Sequence, residues 1–178
     1  MSGTIAAAVE RAGNFKKAVI VRLRLVALYR RSRNPTKKPD IRLGASQMRL
    51  DVYLNYRGNC EQAFRFYEEN LGGRITGIVR HGEMPNPNIP PEWKDKVLHA
   101  RIELGTTVLM GADIPQSEPM RSAYLALTLD TETEAERVYD LLTNAGEVFM
   151  KMEQTPFANR FAMLRDRFGT SWMLLHQP

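Results

Sequence analysis

The chain is poor in the residues that build most covalent and metal-centred chemistry. Among its 178 residues it has one cysteine, Cys60, three histidines and two tryptophans. One cysteine excludes an internal disulfide framework and any cysteine-clustered zinc or iron–sulfur site. No apolar run is long enough to span a bilayer: Ala18 to Leu28 is short and interrupted by Arg22 and Arg24. The same stretch lacks the small-residue cleavage site of a secretory signal. There is no glycine-rich nucleotide loop opening a helix, no phosphate loop, no Ser–His–Asp arrangement and no paired-carboxylate motif. Covalent and phosphoryl-transfer catalysis therefore have no sequence support.

Acidic residues are also scarce, but only at one end. Residues 1–47 hold eleven Lys or Arg and two acids, Glu10 and Asp40, a charge of +9. The remaining fourteen bases and eighteen acids leave −4 on residues 48–178, so the net +5 belongs to the extension and not to the body. This excludes a nucleic-acid reading for the body. The run Asn34-Pro35-Thr36-Lys37-Lys38-Pro39 reads as linker. Residues 1–47 read as a poorly ordered basic extension, or as translated sequence upstream of a start at Met48. A basic helix on a membrane or on nucleic acid, or a targeting segment, are the alternatives.

From Met48 the pattern becomes regular. Leu50, Val52 and Leu54 alternate with Asp51, Tyr53 and Asn55, which predicts a strand. Asn59 with Gln62 forms a capping-box pattern, and Cys60, Ala63, Phe64, Tyr67 and Leu71 follow at helical spacing up to Gly72-Gly73. Strands are expected over 74–81, 96–104 and 106–112, the last two joined through Gly105. The order then repeats: a strand over 122–129, a helix capped by Thr131 and Glu134 and stopped near Gly146, and strands over 147–151, 160–165 and 170–176. Ala63, Arg65 and Tyr67 recur 72 positions later as Ala135, Arg137 and Tyr139. The spacing predicts two β-α-β-β-β modules, at about 48–113 and 121–177. Each helix covers one sheet face, and the other face is left to curl round a cavity.

Four stretches carry a resemblance to a known family. They are Tyr56-Arg57-Gly58-Asn59-Cys60-Glu61-Gln62-Ala63-Phe64-Arg65-Phe66-Tyr67, His81-Gly82-Glu83-Met84-Pro85, Lys94-Asp95-Lys96-Val97-Leu98-His99-Ala100-Arg101, and the run from Arg160 through Asp166-Arg167-Phe168-Gly169-Thr170-Ser171-Trp172 to Met173. In this order they resemble the vicinal oxygen chelate superfamily, which includes glyoxalases, extradiol dioxygenases and bleomycin- and fosfomycin-resistance proteins, and within it the PhnB-like branch. The resemblance implies an α+β fold in which a curved mixed sheet encloses a cleft. It also implies a homodimer and, in metal-dependent members, a divalent ion held by His, Glu or Gln on the first and last strands of each module. Carried over, those four positions fall at Val52 or Tyr53, near Met110, at Tyr124 and at Leu174, none of which is such a ligand. No cofactor is therefore expected, and a divalent metal only at a non-standard site.

Two functions from different classes follow. One is a cytoplasmic small-molecule-binding protein that takes a hydrophobic or aromatic ligand. The other is a metal-dependent lyase, isomerase or dioxygenase with an improvised site drawn from His81, Glu83, His99 and His176; membrane or nucleic-acid contact through the basic extension is a third reading. Strand phase predicts a ligand face of Tyr53, Asn55, Tyr124, Trp172 and Leu174, joined by His81, Glu83 and His99. Two lid segments are expected: the proline-rich Gly82 to Asp95 with Trp93, and Gln154 to Arg160 with Phe157 and Arg160. Arg160 is the candidate to pair an anionic ligand group.

Overall fold

The computed structural model describes residues 50–84 and 89–177. The expectations for residues 1–47, and for the middle of the proline-rich segment, lie outside these. The elements run in order β1 (Val52–Tyr56), α1 (Cys60–Asn70), β2 (Arg74–Arg80), β3 (Val97–Leu104), β4 (Thr107–Asp113), β5 (Leu125–Thr128), α2 (Glu132–Thr143), β6 (Glu147–Thr155), β7 (Ala158–Arg165) and β8 (Ser171–His176). This is the duplicated β-α-β-β-β order that the sequence predicts.

Each module forms a four-stranded mixed sheet, with order β1-β4-β3-β2 in the first and β5-β8-β7-β6 in the second. In both, the first strand pairs parallel with the last and the other pairs are antiparallel. Among the described residues the two sheets do not join into one, so the curved sheet is not closed round a cleft.

Helix α1 forms because Cys60, Ala63, Phe64 and Tyr67 make a buried stripe at i, i+3, i+4 and i+7. Its start differs from the expected capping box, since the Asn59 side chain makes no capping hydrogen bond. Asp113 at the end of β4 does that work: its Oδ1 accepts from Gly58 N and Cys60 N, both at 2.9 Å, and its Oδ2 accepts from Val97 N at 2.9 Å. Helix α2 is capped as expected, with Thr131 Oγ1 accepting from Glu134 N at 3.1 Å, and it buries Ala135, Val138 and Leu142. Gly105, at φ +57°, makes the tight β3–β4 turn.

The helix-covered sides of both sheets share one core, which runs from Leu54, Phe64 and Tyr67 of the first module to Val138, Leu164, Trp172 and Leu174 of the second. Its polar centre is Asp166. Asp166 Oδ2 accepts from Tyr67 Oη at 2.6 Å and from Trp172 Nε1 at 2.8 Å, while Oδ1 accepts from Phe168 N and Thr170 N. Thr170 Oγ1 lies 3.1 Å from Tyr56 Oη and 3.0 Å from Tyr67 Oη, within hydrogen-bond reach of both. Burial pushes both phenols far above their ordinary range, so Tyr56 and Tyr67 stay neutral donors. With the helices inside, the opposite, open faces of the sheets point away from this core.

Candidate open-face site

Strand register decides which side chains reach the open faces. In the first sheet Leu54 pairs with Gly111 and Ala100, all toward α1, so Tyr53, Met110 and Arg101 form the neighbouring row on the open face. Gly77 lies beyond Arg101 and adds no side chain there. His99, two residues before Arg101, shares this face. Its Nδ1 is 3.4 Å from Tyr53 Oη, and the two rings stack with centroids 5.8 Å apart. Two of the predicted site residues are thus brought together. Arg101 is a third member that strand phase indicated and the candidate set omitted.

The second sheet corrects the predicted face. Trp172 pairs with Leu125 and Leu164, and Leu174 with Leu127 and Ala162. These side chains turn toward α2, and Trp172 and Leu174 are buried in the core. Ala126 pairs instead with Met173, so Tyr124, Ala126, Met173 and Leu175 occupy the open side. The shift is one residue on β8, and period-2 alternation converts one residue into the opposite face. Tyr124 meets Phe149 edge-on at 6.2 Å, and Arg165 lies 5.2 Å over the Phe149 ring. Trp172 and Tyr124 both border an apolar groove of about 260 Å³, with Val52 and Leu109.

The remaining candidates are dispersed. Asn55 lines a separate groove of about 490 Å³ with Arg57, Ser117 and Arg167. β2 ends at Arg80, and residues 81–83 form a 3₁₀ turn, so His81 and Glu83 do not share a strand face. His81 Nε2 lies 3.3 Å from the Asp113 carbonyl oxygen, its ring rests against Trp93, and Glu83 is exposed. The described ends of the proline-rich segment are tied together by Gly82 N donating to Lys94 O at 2.8 Å. His176 Nδ1 is 2.9 Å from Leu129 O. The second expected lid is a hairpin: β6 and β7 pair as far as Thr155 and Ala158, and Phe157 sits at the tip against Phe161. Arg160 faces α2, where it pairs with Glu132 at 2.7 Å and Glu136 at 2.8 Å. An arginine held by two carboxylates is not poised for an anionic ligand.

With Leu174 turned inward, the four inherited metal positions on the open faces become Tyr53, Met110, Tyr124 and Met173. Phenol and thioether are poor donors for a hard divalent ion, which prefers carboxylate, carbonyl or imidazole. Among the described residues no group of three or more His, Cys, Asp or Glu converges on one point.

The sequence profile of the Glyoxalase/Bleomycin resistance protein/Dioxygenase superfamily matches residues 49–174. The chain belongs to this superfamily. Among its relatives, the YjdN protein of Escherichia coli is 30% identical over 139 residues, covering 71% of this chain and 94% of YjdN. Of solved structures, PA1353 from Pseudomonas aeruginosa aligns with a TM-score of 0.66 at 35% identity, covering 74% of this chain and 98% of its own. The PhnB protein from Bacillus cereus aligns with a TM-score of 0.62 at 26% identity, covering 72% and 99%. No helix among the described residues is long and apolar enough to cross a membrane.

Proposed function

We propose that this superfamily member is a cytoplasmic small-molecule-binding protein that works as a homodimer without the usual divalent metal. The open faces carry this reading. Tyr53 is 37% exposed, Phe149 42%, Met150 38% and Phe157 55%, an aromatic and thioether surface that is partly open to solvent. In a monomer these faces stand outside the shared core. A second copy that sets its C-terminal sheet opposite the N-terminal sheet of the first would enclose two clefts, each lined by Tyr53 and His99 on one wall and Tyr124 and Phe149 on the other. Such a cleft suits a hydrophobic or aromatic ligand, with aromatic walls for stacking and a few polar groups for orientation. The donor set of Tyr53, Met110, Tyr124 and Met173 supports binding without metal chemistry.

The working unit in this reading is residues 48–178. Deleting residues 1–47 should leave the melting temperature and ligand response unchanged. The neutral fluorophore N-phenyl-1-naphthylamine tests the cleft directly: enhanced, saturable fluorescence that disappears in Tyr124→Ala and Phe149→Glu is expected. Unchanged response in both variants would place the site elsewhere. Elemental analysis of the purified protein should show no stoichiometric zinc, nickel, manganese or iron, and a stoichiometric metal needed for binding would favour the metal-dependent alternative.

A further inference from the structure

The two open faces differ in chemistry, and the difference points to the kind of ligand. The C-terminal face carries the Tyr124 and Phe149 rings, and its Arg165 donates from Nη2 to Glu147 Oε2 at 2.7 Å while its Nε is left without a partner among the described residues. The N-terminal face centres on Arg101, whose side chain is only 19% exposed and whose nearest carboxylate oxygen, Glu103 Oε1, is 3.9 Å away. Glu103 is engaged elsewhere, with its Oε2 held by Arg74 at 2.6 Å. No hydrogen bond reaches the Arg101 guanidinium from any described residue. A guanidinium held this loosely has no matched bidentate partner, and its planar fork fits a carboxylate. Around it stand Tyr53 across Met110, His99 two residues back on the same face, and Gly77, which adds no side chain beside it.

We infer that Arg101, flanked by His99 and Tyr53, is an anion-recognition subsite, and that the natural ligand is an aromatic or hydrophobic compound bearing a carboxylate. This inference rests on the cleft proposed above: the acid end lies on the N-terminal face and the apolar body against the Tyr124 and Phe149 wall. It assigns the anion-pairing role to Arg101, not to Arg160.

The test uses the full chain and N-phenyl-1-naphthylamine as a neutral reporter, displaced by 1-naphthoate or by its neutral isostere 1-naphthamide. Naphthoate should displace the reporter at a concentration about tenfold below naphthamide, the size expected for one charge-assisted contact. Arg101→Gln should erase that preference through a loss of naphthoate affinity. Arg101→Lys, which keeps the charge but loses the fork, should retain about a third of it. Arg65→Gln, on the exposed face of α1 where Arg65 pairs with Glu61, should change nothing. Equal potency of the two competitors in the wild type, or a naphthoate preference that survives Arg101→Gln, overturns the subsite while the cleft stands. A reporter that never binds overturns the cleft and the subsite together.

Discussion

Asp113 shows how one side chain can hold a module together. Three backbone N–H groups, from Gly58, Cys60 and Val97, converge on its carboxylate at 2.9 Å, so it ties the loop before α1 to the start of β3 from the end of β4. Asp113→Ala leaves three donors without their acceptor in a buried site and should cost about 2–4 kcal/mol, measured by urea unfolding. Glu61 makes a weaker, pH-dependent tie. Hydrogen bonding to Arg80 holds its carboxyl below the usual 4.5; burial opposes this, and a lesser hydrogen bond from Arg65 adds to it. A carboxylate depressed in the folded state contributes stability that is fully present above its unfolded pKa and lost as pH falls through the folded value. Glu61→Gln should therefore cost about 0.5–1 kcal/mol at pH 7, as expected of a partly exposed ion pair. Against the wild type, the difference should shrink as pH falls below 4.5 and vanish once the folded-state carboxyl is protonated. A deficit that stays constant across that range would mean that packing, and not charge, holds the residue.

At the scale of elements, β4 and α1 touch so closely that glycine is required at one point. A Cβ on Gly111 would stand 2.9 Å from Phe64 Cζ and 3.0 Å from Cys60 Sγ. Gly111→Ala should destabilise by about 1–3 kcal/mol through overpacking, read as a fall in the thermal midpoint with unchanged far-ultraviolet circular dichroism. The order of elements was legible because it is written in local signals: the Cys60–Ala63–Phe64–Tyr67 stripe, the Thr131 cap and the turn at Gly105. The recurring helix residues kept parallel roles too, with Ala63 and Ala135 both buried and Arg65 and Arg137 both pairing with a glutamate one turn earlier. The facing of β8 was not legible. Ser171 to His176 reads as a near-continuous apolar run, so alternation carries no phase, and only pairing with β5 and β7 turns Trp172 and Leu174 inward and Met173 outward. Arg160 misled for a related reason, since its partners Glu132 and Glu136 come from a helix some 24 or more residues away. The cap from Asp113 is equally non-local, arriving 53 residues after the helix it caps.

Over the whole molecule, the telling arrangement is a shared core with both open sheet faces outside it. Tyr67, Asp166, Thr170 and Trp172 bolt the two modules together by their helix sides, and Phe66 packs on Phe168 across the same junction. That leaves apolar side chains such as Phe149 and Met150 in solvent on β6, an edge strand of its sheet. Exposed aromatics on an edge strand are an association hazard unless something covers them, and in the proposed dimer a second copy would supply that cover. The wild type should therefore sediment at about twice the chain mass of 20.3 kDa. Phe149→Glu places a charge where two faces would meet and should shift the protein to the single-chain mass at micromolar concentration. Because Phe149 is exposed in the single chain, the variant should keep its circular dichroism spectrum, so loss of the dimer and loss of the fold are separable. A dimer that withstands both Phe149→Glu and Met150→Asp would show that the copies meet through another surface, and the cleft would then have to be closed by something other than this chain.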